Sequence, residues 1–224
     1  YLKRDLVDNH VTVINIGGRY FSHFLKLFDR ERSEYAINKR VAVITDLDPV
    51  RKKKSIKDAR YSSCYPFELN KDNSYEYKAT SNDIVDLYSD RKKSISVFTQ
   101  EKNIGCTFEY ELLLYNFTCK ELIVPSISNK ETLLYLMDNY ALEYEELVAT
   151  IGDSKGCKRI KKGLEGTKNK AQLIAALYLL NVSKAESAQE IAEVLYEKEA
   201  DYLKSSFVFM IPPYIEEAIK WVLE

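Results

Sequence analysis

The feature that most limits what this chain can fold into is an apolar, β-branched run, RVAVIT (residues 40–45), that passes without a break into TDLDP (residues 45–49). A short run of this kind, lacking polar alternation, is the pattern of a parallel strand covered on both faces. Asp46 and Asp48 then fall at the carboxyl end of that strand, where open α/β sheets bind their ligands. Two carboxylates at i and i+2 can face one cation once the strand has turned into loop, and Mg²⁺ or Mn²⁺ prefers such oxygen donors. The pattern leaves a second reading open, in which both aspartates are turn and capping residues before a proline.

The neighbouring segments extend the α/β reading. VTVINI (residues 11–16) has the same strand character, and the stretch from about 20 to 32 carries Phe21, Phe24, Leu25 and Phe28 on one helical stripe. This predicts a β-α-β unit, with Gly17 and Gly18 allowing a tight turn and close backbone approach above the sheet. Residues 49–78 are polar, lysine-rich and aperiodic and read as a long loop, a type that is often functional. Ser81-Asn82 can cap a short helix over 83–89, and SISVFT (residues 94–99) reads as a third strand. Helical spacing then dominates at 108–115, 130–140, 144–150, 168–180, 185–204 and 214–223, with breaks at Gly152, at GLEG (163–166) and at Pro212-Pro213. The division expected is a sheet domain over 1–120 and a mostly helical subdomain over 121–224.

Composition narrows the function classes. With 46% hydrophobic residues in 224, the chain can bury the core of one large domain or two small ones. The formal net charge of -1 gives no bulk argument for a nucleic-acid partner, so any such argument must come from local clusters. The four cysteines are scattered without a CxxC and only two histidines are present, which argues against zinc and suits a reducing compartment. No apolar run approaches the roughly 20 residues that span a bilayer, and the first residues resemble no signal peptide, so a cytoplasmic protein is expected. The absence of an initiator methionine suggests a fragment. No GxxxxGK[ST] is present, so no ATP site is expected in this chain.

Other candidate residues form smaller groups. Glu109 and Glu111 lie in TFEYELLLY; at a helix start they point in different directions, so only one is expected to reach a shared metal. First-turn acids are also favoured by the helix dipole without any functional role. The run SKGCKRIKKGLEGTKNK (residues 154–170) offers Lys158, Arg159, Lys161, Lys162 and Lys168 as contacts to a phosphodiester backbone, against the alternative of a solvated charged loop. Directly behind the aspartates, Arg51, Lys52 and Lys53 belong to an RKKK cluster that places cations where a metal-bound phosphate would lie. Lys170 sits at the edge of an apolar helix face formed by Leu173, Ile174 and Leu177. His10 and His23 are the only histidines, and neither has the partners of a nucleophilic triad.

The order strand, Gly-Gly, helix, strand, DxD resembles the Toprim domain, a Rossmann-like metal-dependent nuclease core. VINIGGRYFSHFLKLF, KRVAVITDLDP, TFEYELLL, NKAQLIAAL and IPPYIEEAIKWV, in that order, resemble the carboxyl-terminal part of the OLD (overcoming lysogenization defect) family of ATP-dependent endonucleases over nearly the whole chain. The resemblance implies an α/β fold with a mostly parallel sheet and a helical subdomain. It also implies two Mg²⁺ or Mn²⁺ ions, cleavage or nicking of DNA, an ABC-type ATPase domain upstream in the same polypeptide, a homo-oligomeric full-length protein and, for several members, a part in anti-phage defence. Carried over by residue, Asp46 and Asp48 match the DxD ligands, Glu109 and Glu111 the family's acidic pair, and Lys170 its catalytic lysine. Position 111 is glutamate where many relatives have aspartate, and Ala171 stands where a glycine often follows the lysine. The pattern's first strand, with a catalytic glutamate, is not found ahead of VTVINI; residues 1–7 resemble the end of the helix that follows it.

The function expected from the sequence is therefore phosphodiester hydrolysis, with Asp46 and Lys170 as catalytic residues. Two rivals are a non-cleaving nucleic-acid-binding or regulatory Toprim module and a different Toprim enzyme such as a primase or topoisomerase; the latter wants a nucleophilic tyrosine domain that cannot be identified here.

Overall fold

The structure, a computed structural model, describes residues 5–88, 94–204 and 206–224. The expectations for residues 1–4 and for the helix end at Ser89 fall outside the described residues. Among these residues the chain is α/β, with ten α-helices, a two-stranded parallel sheet and a three-stranded antiparallel sheet. It divides into two compact units: residues up to Thr107 together with Pro212–Glu224, and Phe108–Ile211. The helical unit thus begins about a dozen residues ahead of the expected boundary, and the last helix groups with the sheet.

In the sheet unit, β1 (Val41–Ile44) pairs in parallel with β5 (Ile95–Phe98), Val41 opposite Ile95 and Ile44 opposite Phe98. Successive side chains alternate between the two faces, and both faces are covered. Val41, Val43, Ile95 and Val97 pack with Leu25, Leu47, Ile84, Val85 and Tyr88 on one side. Ala42 and Phe98 pack with Tyr214, Ala218, Ile215 and Trp221 of α10 (Pro213–Leu223) on the other. This double cover is why RVAVIT carries no polar alternation.

Two expected elements are absent or shortened. Residues 11–16 form no strand, and Val13 and Ile14 are 79% and 73% exposed. β-propensity gives a ladder only where a neighbouring strand offers one, and in this sheet β1 pairs with β5. The helix expected over 20–32 is limited to α1 (Phe21–Leu25), after which Leu27 and Phe28 donate to carbonyls three residues back. Tyr20 provides no side-chain cap. Farther on, the buried Asp29 accepts from the Glu31 backbone and pairs with Arg32, a local alternative that competes with continued helix.

Residues 49–78, expected as a loop, contain an antiparallel sheet of β2 (Val50–Lys53), β3 (Ser62–Ser63) and β4 (Tyr75–Lys78), with β2 in the middle. These strands are short and polar. Cross-strand pairing of cations with tyrosines and an acid holds them, with Arg51 over Tyr75, Lys52 over Tyr61 and Lys52 bonded to Glu76. α2 (Asp83–Leu87) follows, capped as expected by Asn82, whose side chain accepts from the Ile84 backbone.

In the helical unit, α3 (Phe108–Tyr115), α4 (Lys130–Asp138), α5 (Tyr144–Ala149) and α7 (Lys170–Asn181) lie close to the helices expected. α7 is apolar on all sides and packs against α3, α4 and α6, so every residue from Leu173 to Tyr178 is buried. The basic stretch after Ser154 is a helix, α6 (Lys155–Leu164), where a charged loop was the default reading; Ser154 caps it through the Cys157 backbone. The helix expected over 185–204 is two, α8 (Lys184–Glu197) and α9 (Glu199–Leu203). No helix among the described residues is long and apolar enough to cross a membrane.

Candidate functional site

The carboxyl end of β1 is held by a small polar network within the sheet unit. Thr45 donates its backbone N–H to the Phe98 carbonyl, which carries the parallel pairing one residue beyond the strand. Leu47 is buried, and its backbone N–H donates to Gln100 Oε1 at 2.8 Å. The same Gln100 amide donates from Nε2 to Asp46 Oδ1 at 2.6 Å. Asn82, besides capping α2, donates to Thr45 Oγ1 at 2.7 Å and reaches the Asp46 carbonyl at 3.5 Å. One buried leucine thus separates two aspartates that both stay partly exposed.

Asp48 adopts a left-handed conformation, φ 47°, which Asp and Asn tolerate better than most residues, and its N–H donates to the Cys106 carbonyl. Its carboxylate faces Arg19, whose Nη2 is 2.6 Å from Oδ2, while Nη1 donates to Ser81 Oγ at 2.9 Å and to the Ser81 carbonyl at 3.3 Å. Arg19 follows Gly17 (φ 70°) and Gly18 (φ 156°), backbone geometry that suits glycine. Gly17 donates to the Asn15 side chain in a local turn.

The two carboxylates are of the donor type that a hard divalent cation takes. Asp46 and Asp48 lie two residues apart just after β1, and Asp48 already attracts a positive group, the Arg19 guanidinium. Among the described residues, no three His, Cys, Asp or Glu side chains form a group that could hold a metal ion.

The sequence singled out Asp46 and Asp48 but missed Arg19 and Gln100 and saw Asn82 only as a cap. A polar residue directly after a strand expected beside RVAVIT was the signal for Gln100. Two glycines that aim the next side chain above the sheet were the signal for Arg19.

The other candidates stand in varied settings. Glu111 is 1% exposed and belongs to the interior of the helical unit. Glu109 is more open and has Lys184 Nζ at 3.3 Å from Oε2. Nearby charge from Glu109 adds to burial in pushing the Tyr178 hydroxyl upward, burial being the larger cause. Lys170, at the start of α7, donates its ammonium to the carbonyls of Tyr140 and Leu142, both at 2.8 Å, and lies over the Tyr140 ring. Lys161 is likewise used within its unit, donating to the Ile151 carbonyl at 2.7 Å and to Asp153 at 3.2 Å. Lys168 pairs with Glu145, and the bond raises the lysine and lowers the acid from their ordinary ranges. Lys158 and Lys162 are exposed one turn apart on α6, whereas Arg159 is half-buried.

In the antiparallel sheet, Arg51 bonds the buried Glu68 at 3.1 Å and is largely internal. Lys52 and Lys78 both approach the Tyr61 ring, and the Tyr61 hydroxyl donates to Glu76. That hydroxyl is the main cause holding Glu76 below the usual carboxylate range, followed by Lys52. Lys53 is exposed. Residues 50–78 hold eight basic and four acidic side chains in a chain whose total is slightly negative, so this segment is locally basic.

No protein-family model, curated protein or solved structure matches this chain.

Proposed function

We propose that the chain is the nuclease portion of a metal-dependent DNA endonuclease or nickase of the Toprim type, similar to the OLD family, with Asp46 and Asp48 holding Mg²⁺ or Mn²⁺. The observation that carries this reading is the strand end itself: two carboxylates straddle a buried leucine, one oriented by Gln100 and the other already paired with a cationic side chain. Bound there, the metal would activate water and stabilise the leaving oxygen of a phosphodiester.

The protein's own residues divide the remaining work. Gln100 fixes the Asp46 carboxylate and, through the Leu47 N–H, the turn that carries it. Asn82 ties Thr45 and the Asp46 carbonyl to the first turn of α2. Lys53 and the exposed cations of residues 50–78 neutralise the backbone of a bound strand, a contribution that weakens with salt. Of the acidic pair, Glu109 is the residue assigned to the family's metal-binding acid, because Glu111 is enclosed in the helical core. By the family resemblance Lys170 is the charge stabiliser; within the helical unit its ammonium is held by the carbonyls of Tyr140 and Leu142.

A second reading has its own support. Asp48 is engaged by Arg19 and Lys170 by backbone carbonyls, which supports reading the chain as a module that binds nucleic acid without cutting it. Plasmid nicking separates the two. Under the nuclease reading the protein is expected to relax supercoiled DNA in Mg²⁺ or Mn²⁺ and to lose this with Asp46→Asn. Binding with no metal-dependent cleavage would establish the non-cleaving module.

A further inference from the structure

Resting on the metal-site reading above, we propose that Arg19 is a tethered stand-in for the divalent cation at Asp48: its guanidinium holds the carboxylate until a cation displaces it. The contact is direct, with Nη2 at 2.6 Å from Asp48 Oδ2. The two partners differ in how firmly they are placed. The Asp48 backbone is held by its N–H on the Cys106 carbonyl. Arg19 extends from the Gly17-Gly18 turn and has a second resting place, since Nη1 donates to the Ser81 hydroxyl and carbonyl. When Asp48 is taken by a metal, Arg19 remains at the rim through Ser81.

The magnitude favours exchange. The Arg19 and Asp48 side chains are 49% and 30% exposed, and a pair this open to solvent is weak enough for a divalent ion to replace. Asp46 differs in this respect, because its partner Gln100 is a neutral amide that orients the oxygen without competing for its charge. Once released, the guanidinium presents a planar donor fork beside the metal site, the geometry suited to a phosphate. Arg19 thus has two successive partners, Asp48 and then a substrate phosphate.

Mn²⁺ titration followed by electron paramagnetic resonance tests this on the 224-residue chain. Arg19→Gln is expected to tighten Mn²⁺ binding about two- to fivefold, the reciprocal of losing one exposed competing pair. Asp48→Asn should weaken Mn²⁺ binding and remove the effect of adding Arg19→Gln. Circular dichroism melting checks that each variant is folded, and Arg19→Met, which retains an apolar stem, replaces Arg19→Gln if the latter is not. Unchanged or weaker Mn²⁺ binding in the folded Arg19 variant, with Asp48→Asn still harmful, would overturn the stand-in role and leave the metal site standing. If neither the parent nor the Arg19 variant binds Mn²⁺, the metal-site reading fails and the role of Arg19 fails with it.

Discussion

Replacing Lys170 with methionine separates a structural lysine from a catalytic one. The ammonium makes two hydrogen bonds of 2.8 Å to the carbonyls of Tyr140 and Leu142 and lies 5.1 Å from the centre of the Tyr140 ring. A hydrogen bond to a charged group contributes about 1.5–3 kcal/mol net when sheltered. Lys170 is only half-buried, so water recovers part of the loss, and the two bonds with the ring contact together should be worth about 1–3 kcal/mol. Methionine keeps the apolar stem, so packing along α7 changes little. Urea unfolding of Lys170→Met, followed by far-ultraviolet circular dichroism, should show a lower midpoint with an unchanged slope. A stability change below about 0.3 kcal/mol would refute the reasoning, because an ammonium firmly held on two carbonyls cannot be removed at no cost. Under the proposed nuclease reading, with Lys170 acting on a transition-state oxygen, Lys170→Ala should lower cleavage by about two to three orders of magnitude. DNA binding should change far less, and equal losses of binding and cleavage would make Lys170 an ordinary backbone contact.

Asn82→Ala removes both the cap of α2 and the tie to Thr45, and chemical denaturation should report about 1–2 kcal/mol of lost stability; an unchanged midpoint would show that neither bond matters. Glu190 accepts from the Ser126 hydroxyl and backbone, and the hydroxyl is the first cause lowering its carboxyl below the ordinary value of 4.5. A depressed folded pKa gives stability that is present above the unfolded value and lost as pH falls through the folded one, so acid titration of Glu190→Gln should lack that part of the wild-type loss below about pH 4.5. All four cysteines are buried and outside any disulfide, and burial pushes the Cys119 thiol up to about 12, so a thiol reagent at pH 8 should label none of them in the folded chain and all four in denaturant.

The sequence was most readable where one residue's surroundings were local. RVAVIT and SISVFT announced two buried strands, and the structure pairs them in parallel; Asn82 announced a cap and forms one. Helices with sustained apolar spacing, such as those starting at Phe108 and Lys170, were also visible. VTVINI has the composition of RVAVIT yet makes no ladder, because pairing depends on which neighbour is present and no property of the segment states that. The sheet over residues 50–78 was invisible for a different reason. Its strands are two to four residues long, and cation–tyrosine pairs between them take the place of apolar alternation. At the site, Asp46 and Asp48 stood out by spacing, whereas Arg19 and Gln100 reach it from 29 and 54 residues away along the chain. The lysines after Ser154 looked uniform in sequence, but the fold gives Lys161 to the Ile151 carbonyl, Lys168 to Glu145 and Lys170 to two carbonyls, leaving Lys158 and Lys162 exposed on α6.

The central claim, that Asp46 and Asp48 bind a divalent cation at the end of β1, is tested most directly by Fe²⁺-directed cleavage of the polypeptide. With hydrogen peroxide and ascorbate added, Fe²⁺ substituted into a Mg²⁺ or Mn²⁺ site reduces the peroxide to hydroxide and a hydroxyl radical that cuts the nearest backbone, ascorbate returns Fe³⁺ to Fe²⁺, and mass spectrometry locates the cuts. The account predicts cuts around residues 45–49, with further cuts near Ser81-Asn82 and Gln100, all suppressed by excess Mg²⁺ and lost in the Asp46→Asn, Asp48→Asn double variant. Cuts located elsewhere, or cuts at 45–49 that persist in the double variant, would contradict it.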